Sequence, residues 1–122
     1  MLTRFSHVML FVTDLDRAVA WYGQHLGFEP RFVVPGQYAS LHNKAIDVRL
    51  DLHPTETAGR DVGFGPMPYF AVEHMDTFLA TLKSAGVRAG EPRREGGSTR
   101  FVTIWDSEGN AIGLEEVPVA GV

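Results

Sequence analysis

Cysteine is absent from the chain, so neither a disulfide nor a thiolate metal centre is available to it. No apolar run is long enough to cross a bilayer, and no basic segment followed by a long apolar stretch opens the sequence. The expectation is a cytoplasmic protein with no membrane partner. Basic charge is also scarce: 11 Lys and Arg stand against 15 Asp and Glu, a net charge of −4. The one concentration of arginines, Arg88, Arg93, Arg94 and Arg100, alternates with Glu91 and Glu95. That is the pattern of a solvated hairpin, not of a basic face with stacking aromatics, so no nucleic-acid partner is expected. Gly63-Phe64-Gly65 and Gly96-Gly97 do not lie between a strand and a helix start, which excludes a dinucleotide fingerprint. No Ser-His-Asp order or paired-carboxylate spacing stands out.

What is present is a 122-residue chain, 44% hydrophobic, enough for one domain that buries about two-thirds of its unfolded surface without covalent staples. Its organising stretch is FSHVMLFVTDLDRAVAWYGQHLGF, residues 5–28. Residues 5–12 are β-branched and aromatic and read as a strand with both faces covered, His7 being its one polar side chain. Thr13 and Asp14 offer capping oxygens; Leu15, Ala18, Val19, Tyr22 and Leu26 then recur at helical spacing, and Gly27 ends the helix. Strands are expected over 28–34, where Pro30 marks an edge, over 38–42, and over 45–52. In the last of these Ile46, Val48, Leu50 and Leu52 point one way, while Asp47, Arg49, Asp51 and His53 point the other.

Residues 53–66 have no periodicity and read as a linker, of a length that is often functional or mobile. The second half repeats the first: a strand over 67–73, a helix starting at His74, Met75 and Asp76 and closed by Gly86, and short extended pieces over 87–94 broken by Gly90 and Pro92. Strands over 99–105 and 111–117 then flank the DSEGN turn. Leu15, Asp16, Ala18, Val19 and Tyr22 fall on Met75, Asp76, Phe78, Leu79 and Leu82 at a constant offset. The fold class is thus α+β, two βαβββ modules over 1–53 and 67–117, joined by a linker over 54–66 and followed by a frayed tail over 118–122. A four-stranded sheet with a helix on one face leaves the other face bare, and two such sheets can curl together around a cavity.

These two modules, the early strand carrying His7 ahead of DLDRAVAWYGQHLGF, and the late D-x-E-G-N-x-I turn and strand resemble the vicinal oxygen chelate superfamily, which includes glyoxalase I, bleomycin-resistance proteins, fosfomycin-resistance proteins and extradiol dioxygenases. The resemblance spans nearly the whole chain. One scaffold there carries lyases, isomerases, dioxygenases and pure binders, so the site must decide between them. Its metal-dependent members take four His and Glu ligands, two from each module. The resemblance places the first at His7, the second at Asp51 or, in another register, Asp47, and the third at Met67 or Pro68. The fourth falls on Gly113. A thioether, a proline and a glycine do not hold a divalent cation. Glu115 shares the face of Gly113 about 7 Å along the strand, so a site rebuilt from His7, Asp51 and Glu115 is the remaining metal arrangement.

With half the ligand set replaced, the resemblance implies a metal-independent binder of a small aromatic or amphipathic molecule, similar to the bleomycin-resistance branch, with no cofactor and acting as a homodimer. Its expected contacts are His7, Tyr38, Arg49, Asp51, Tyr69, Phe101, Trp105 and Glu115. Phe32 and Phe64 add to the aromatic supply, whereas Trp21 and Tyr22 belong to the core. Arg49 and Asp51 share one face, as a mutual salt bridge or as a charged anchor. His74 is a solvent-facing cap, His25 lies near a helix end, and His53 stands where it can reach a cavity mouth. The alternatives are a metal-dependent lyase, isomerase or dioxygenase similar to glyoxalase I, and a metal-free isomerase with His7 or Asp51 as general base.

Overall fold

A computed structural model of the chain describes residues 1–119. It divides into two compact units, Met1–Gly65 and Pro66–Val122, each a helix laid on one face of a sheet. In the first unit the order is β1 (Val8–Val12), α1 (Leu15–Leu26), β2 (Glu29–Val34), β3 (Tyr38–Asn43), β4 (Val48–Pro54) and the single turn α2 (Ala58–Asp61). The strands lie in the order β1-β4-β3-β2. β1 runs parallel to β4, and the other pairs are antiparallel. The second unit follows with β5 (Tyr69–Val72), α3 (Met75–Ser84), β6 (Arg88–Ala89), β7 (Arg93–Arg94), β8 (Arg100–Trp105) and β9 (Ala111–Glu116). Its order is β5-β9-β8-β6, with β7 also on β8, and β5 runs parallel to β9. Neither sheet closes into a barrel, and among the described residues no helix is long and apolar enough to cross a membrane.

Helix α1 forms where the sequence signals it. The Asp14 carboxylate accepts from the Arg17 N–H at 3.0 Å, meeting one of the free donors of the first turn. Gly27, at φ 73°, closes the helix in the left-handed conformation. Leu15, Ala18 and Tyr22 are buried on its inner side and meet Leu10, Val12, Ala39, Leu41, Leu50 and Leu52 from the helix-facing side of the sheet, all buried. In the second unit Met75, Leu79 and Leu82 of α3 are buried with Val102, Ile104, Ile112 and Leu114. Full burial of each such side chain contributes about 1.5–3 kcal/mol, so both cores lie between helix and sheet.

Several boundaries differ from expectation. β1 begins at Val8, the first residue with a partner in β4, so Phe5 is outside the sheet and exposed. Residues 45–47 are turn rather than strand: the Asn43 side chain accepts from the N–H groups of Ala45 and Ile46 at 3.0 and 3.3 Å, an Asx turn. Asp47 takes φ 53° there. The linker is not wholly irregular, because Asp61 accepts from the hydroxyls of Thr55 and Thr57 across α2. His74 is exposed as expected and starts α3 at φ 53°, but its side chain caps nothing. Of the expected frayed tail, residues 120–122 lie outside the described residues.

Candidate functional site

The face of the first sheet opposite α1 is set by alternation. Counting back from Leu50 and Leu52, which face the helix, Asp51 and Arg49 face away, and register brings Met9 and Ser40 to either side of Asp51. The Asp51 side chain is 0% exposed. A buried carboxylate is costly unless fully satisfied, and this one is. Arg49 donates from Nε to Oδ1 at 3.1 Å and from Nη2 to Oδ2 at 2.8 Å, a bidentate fork. The Tyr38 hydroxyl donates to Oδ2, Ser40 also bonds the carboxylate, and His7 Nε2 stands 3.6 Å from Oδ2. Burial drives the Asp51 pKa upward, but the bonds from Arg49, Tyr38 and Ser40 outweigh it and hold the carboxyl below its ordinary range. The Tyr38 phenol is raised by burial and then by its bond to Asp51. Asp51 is therefore a fixed anion, poorly suited to taking a proton near neutral pH.

Rings surround this cluster. Phe32 stacks on Tyr38 with centroids 6.3 Å apart and planes at 22°. His53 meets Tyr38 edge-on at 6.0 Å and Phe11 at 5.8 Å. Of the eight expected contacts, the structure brings His7, Tyr38, Arg49 and Asp51 together here. His53, expected to reach a cavity mouth, packs against Tyr38; Ser40 and Arg31, whose Nη1 donates to Ser40 Oγ at 2.8 Å, are not among the expected contacts. Ser40 was accessible from alternation, since it lies two residues from Tyr38. Asp47, the other register for a ligand, sits in the turn just ahead of β4 and pairs with His42 Nε2 at 2.8 Å.

The helix-free face of the second sheet carries the other four expected residues. Tyr69, Phe101, Trp105 and Glu115 all lie on it, because register pairs Tyr69 with Gly113, Thr103 with Gly113, and Phe101 with Glu115. Tyr69 and Phe101 meet edge to face at 6.1 Å. Trp105 is set apart from them, its ring under the Arg88 guanidinium at 4.1 Å, a cation–π contact. Arg93 reaches the Tyr69 hydroxyl and the Thr103 hydroxyl, each at 3.4 Å.

The resemblance implies a four-ligand metal site, against which the residues present can be compared. A Cβ on Gly113 would fall 2.3 Å from Tyr69 Cε2, 2.4 Å from Cδ2 and 2.5 Å from Cζ. The Tyr69 ring therefore occupies the space a ligand side chain at 113 would need. In the first unit Asp51 has both oxygens committed to Arg49 and Tyr38. Among the described residues no three His, Cys, Asp or Glu side chains are grouped to hold a metal ion. The residues present do not fit the four-ligand site.

Residues 4–114 match the family model of the Glyoxalase/Bleomycin resistance protein/Dioxygenase superfamily. Among solved structures, a member of that superfamily from Sphaerobacter thermophilus aligns with a TM-score of 0.79 at 21% identity, covering 96% of this chain and 100% of the other. A genomically encoded fosfomycin resistance protein from Listeria monocytogenes aligns at 0.78 and 17%, covering 96% and 95%. An antibiotic binding protein from a Streptomyces species aligns at 0.75 and 24%, covering 94% and 98%. At these identities the likeness is one of fold. No curated protein matches the sequence.

Proposed function

For a chain that belongs to the glyoxalase/bleomycin resistance protein/dioxygenase superfamily, we propose the binding of a small aromatic or amphipathic molecule without a metal centre. The observation that carries it is Asp51: a buried anion on a helix-free sheet face, tied to Arg49, Tyr38 and Ser40 and ringed by Phe11, Phe32 and His53. An apolar wall with a few fixed polar groups is how small-molecule sites are made. A charge network retained there has no packing advantage over an apolar replacement. The proposed contacts are His7, just before β1, with Tyr38, Arg49 and Asp51 on the first sheet, and Tyr69, Phe101, Trp105 and Glu115 on the second. That similar folds include an antibiotic binding protein and a fosfomycin resistance protein supports a small-molecule ligand. The proposal includes a homodimer, checked by sedimentation equilibrium.

The test is metal analysis of protein purified without chelator, with His7→Ala alongside, together with titration against planar aromatic compounds followed by intrinsic fluorescence. Saturable binding that weakens in His7→Ala, with metal content unchanged by the substitution, is expected. Stoichiometric nickel, zinc, manganese or iron that is lost in His7→Ala would overturn the proposal in favour of a metal-dependent lyase, isomerase or dioxygenase.

A further inference from the structure

The edge strand of the first sheet is irregular at one point. Pro30 pairs with Leu41 and Phe32 with Ser40, leaving Arg31 as an extra residue between them. Such a bulge turns neighbouring side chains out of strict alternation and re-aims them. Here it delivers two successive residues to the same face: Phe32 stacks on Tyr38, and Arg31 donates to Ser40 Oγ while its guanidinium carbon lies 5.8 Å from the Phe32 ring centre. Both are exposed.

Among the charges on this face Arg31 stands apart, because Lys44 already pairs with Glu29. Arg49 is neutralised by Asp51, and the His42 ring is taken up by Asp47. Arg31 faces no carboxylate among the described residues; its hydroxyl partner, Ser40, is in turn bonded to the Asp51 carboxylate. One hydrogen bond to Ser40 leaves the rest of a five-donor fork free at the rim of an aromatic platform. Resting on the small-molecule reading above, we infer that the ligand is an aromatic acid: its ring lies against Phe32 and Tyr38, and its single anionic group, a carboxylate, phosphonate or sulfonate, sits on Arg31. A cationic ligand is disfavoured, since Asp51 is buried and already saturated, while Asp47 and Glu29 are paired with His42 and Lys44.

A matched series tests this: 1-naphthoate, 1-naphthamide and 1-naphthylmethylammonium, titrated calorimetrically into wild-type protein, Arg31→Gln and Arg31→Lys. Circular dichroism and thermal midpoints confirm that each variant is folded. Wild type is expected to bind the acid about tenfold more tightly than the amide, the scale of one exposed charge-assisted bond, and the ammonium most weakly. Arg31→Gln should bring acid and amide to within about twofold, and Arg31→Lys should keep part of the preference, because the charge survives but the fork does not. Equal binding of acid and amide by wild type, or a preference unchanged in Arg31→Gln, overturns the anion assignment and leaves the small-molecule function standing. Binding of none of the three overturns both.

Discussion

Placing a methyl group on Gly113 should reverse its effect on stability according to what stands at position 69. The backbone there is outside the left-handed region, so alanine is allowed by φ. In isolation it would stabilise by about 0.4–1 kcal/mol through the unfolded chain. The obstacle is the Tyr69 ring, whose atoms lie 2.3–2.5 Å from where the Cβ must go. Tyr69 is 47% exposed and can swing outward, at the cost of its edge-to-face contact with Phe101, about 0.5–1.5 kcal/mol. It also gives up part of the area it buries on the sheet, about 1–2 kcal/mol more. The balance is a destabilisation of about 1–2 kcal/mol for Gly113→Ala, read as a fall of about 3–8 °C in thermal midpoint. In a Tyr69→Ala background the same change meets no ring and should stabilise by about 0.5 kcal/mol. Equilibrium urea unfolding of the four proteins, followed by far-ultraviolet circular dichroism, gives the cycle. If Gly113→Ala has the same sign in both backgrounds, the ring does not fill that space, and the steric case against a ligand at 113 falls with it.

Other expectations follow from the same geometry. Asp51→Asn keeps the shape but strips the charge that Arg49 needs, and should cost about 3 kcal/mol, with partial recovery on adding Arg49→Gln, read from urea midpoints. Asp61 is held down to about 2 by its bonds from Thr55 and Thr57, and then Arg60, against an ordinary 3.8. The unfolded chain therefore takes the proton first, so the stabilisation is complete above about pH 5 and is lost as the pH falls toward about 2. Thermal midpoints of Asp61→Asn across that window should fall less steeply than those of wild type. Gly27→Ala forces a side chain into φ 73° and should cost about 1 kcal/mol; a thermal midpoint unchanged by this substitution would show that the turn relaxes.

The parts of this protein legible from its residues are those governed by short-range periodicity. Asp14 and Gly27 mark the ends of α1, and the doubled helix pattern from Leu15 to Tyr22 and from Met75 to Leu82 locates both cores. Alternation along Val48–Pro54 separates Asp51 and Arg49 from Leu50 and Leu52. What could not be read depends on register between strands. Residues 45–47 alternate like a strand, yet the Asn43 side chain captures their N–H groups and makes a turn. The approach of Tyr69 to Gly113 exists only because β5 pairs with β9 in this alignment. The place of Arg31 depends on one extra residue opposite Leu41 and Ser40, which leaves no mark on the local pattern.

That extra residue also bears on how the chain coexists with copies of itself. One edge of the first sheet is β2, whose side chains are exposed throughout, including Phe32, Val33 and Val34. A flat apolar margin of this kind invites open-ended strand addition. Pro30 supplies no N–H to an arriving strand, and the kink at Arg31 throws the following groups out of step. The irregularity proposed to aim a cation at a ligand would thus also hinder polymerisation, and a variant that straightened it would be expected to lose solubility along with selectivity.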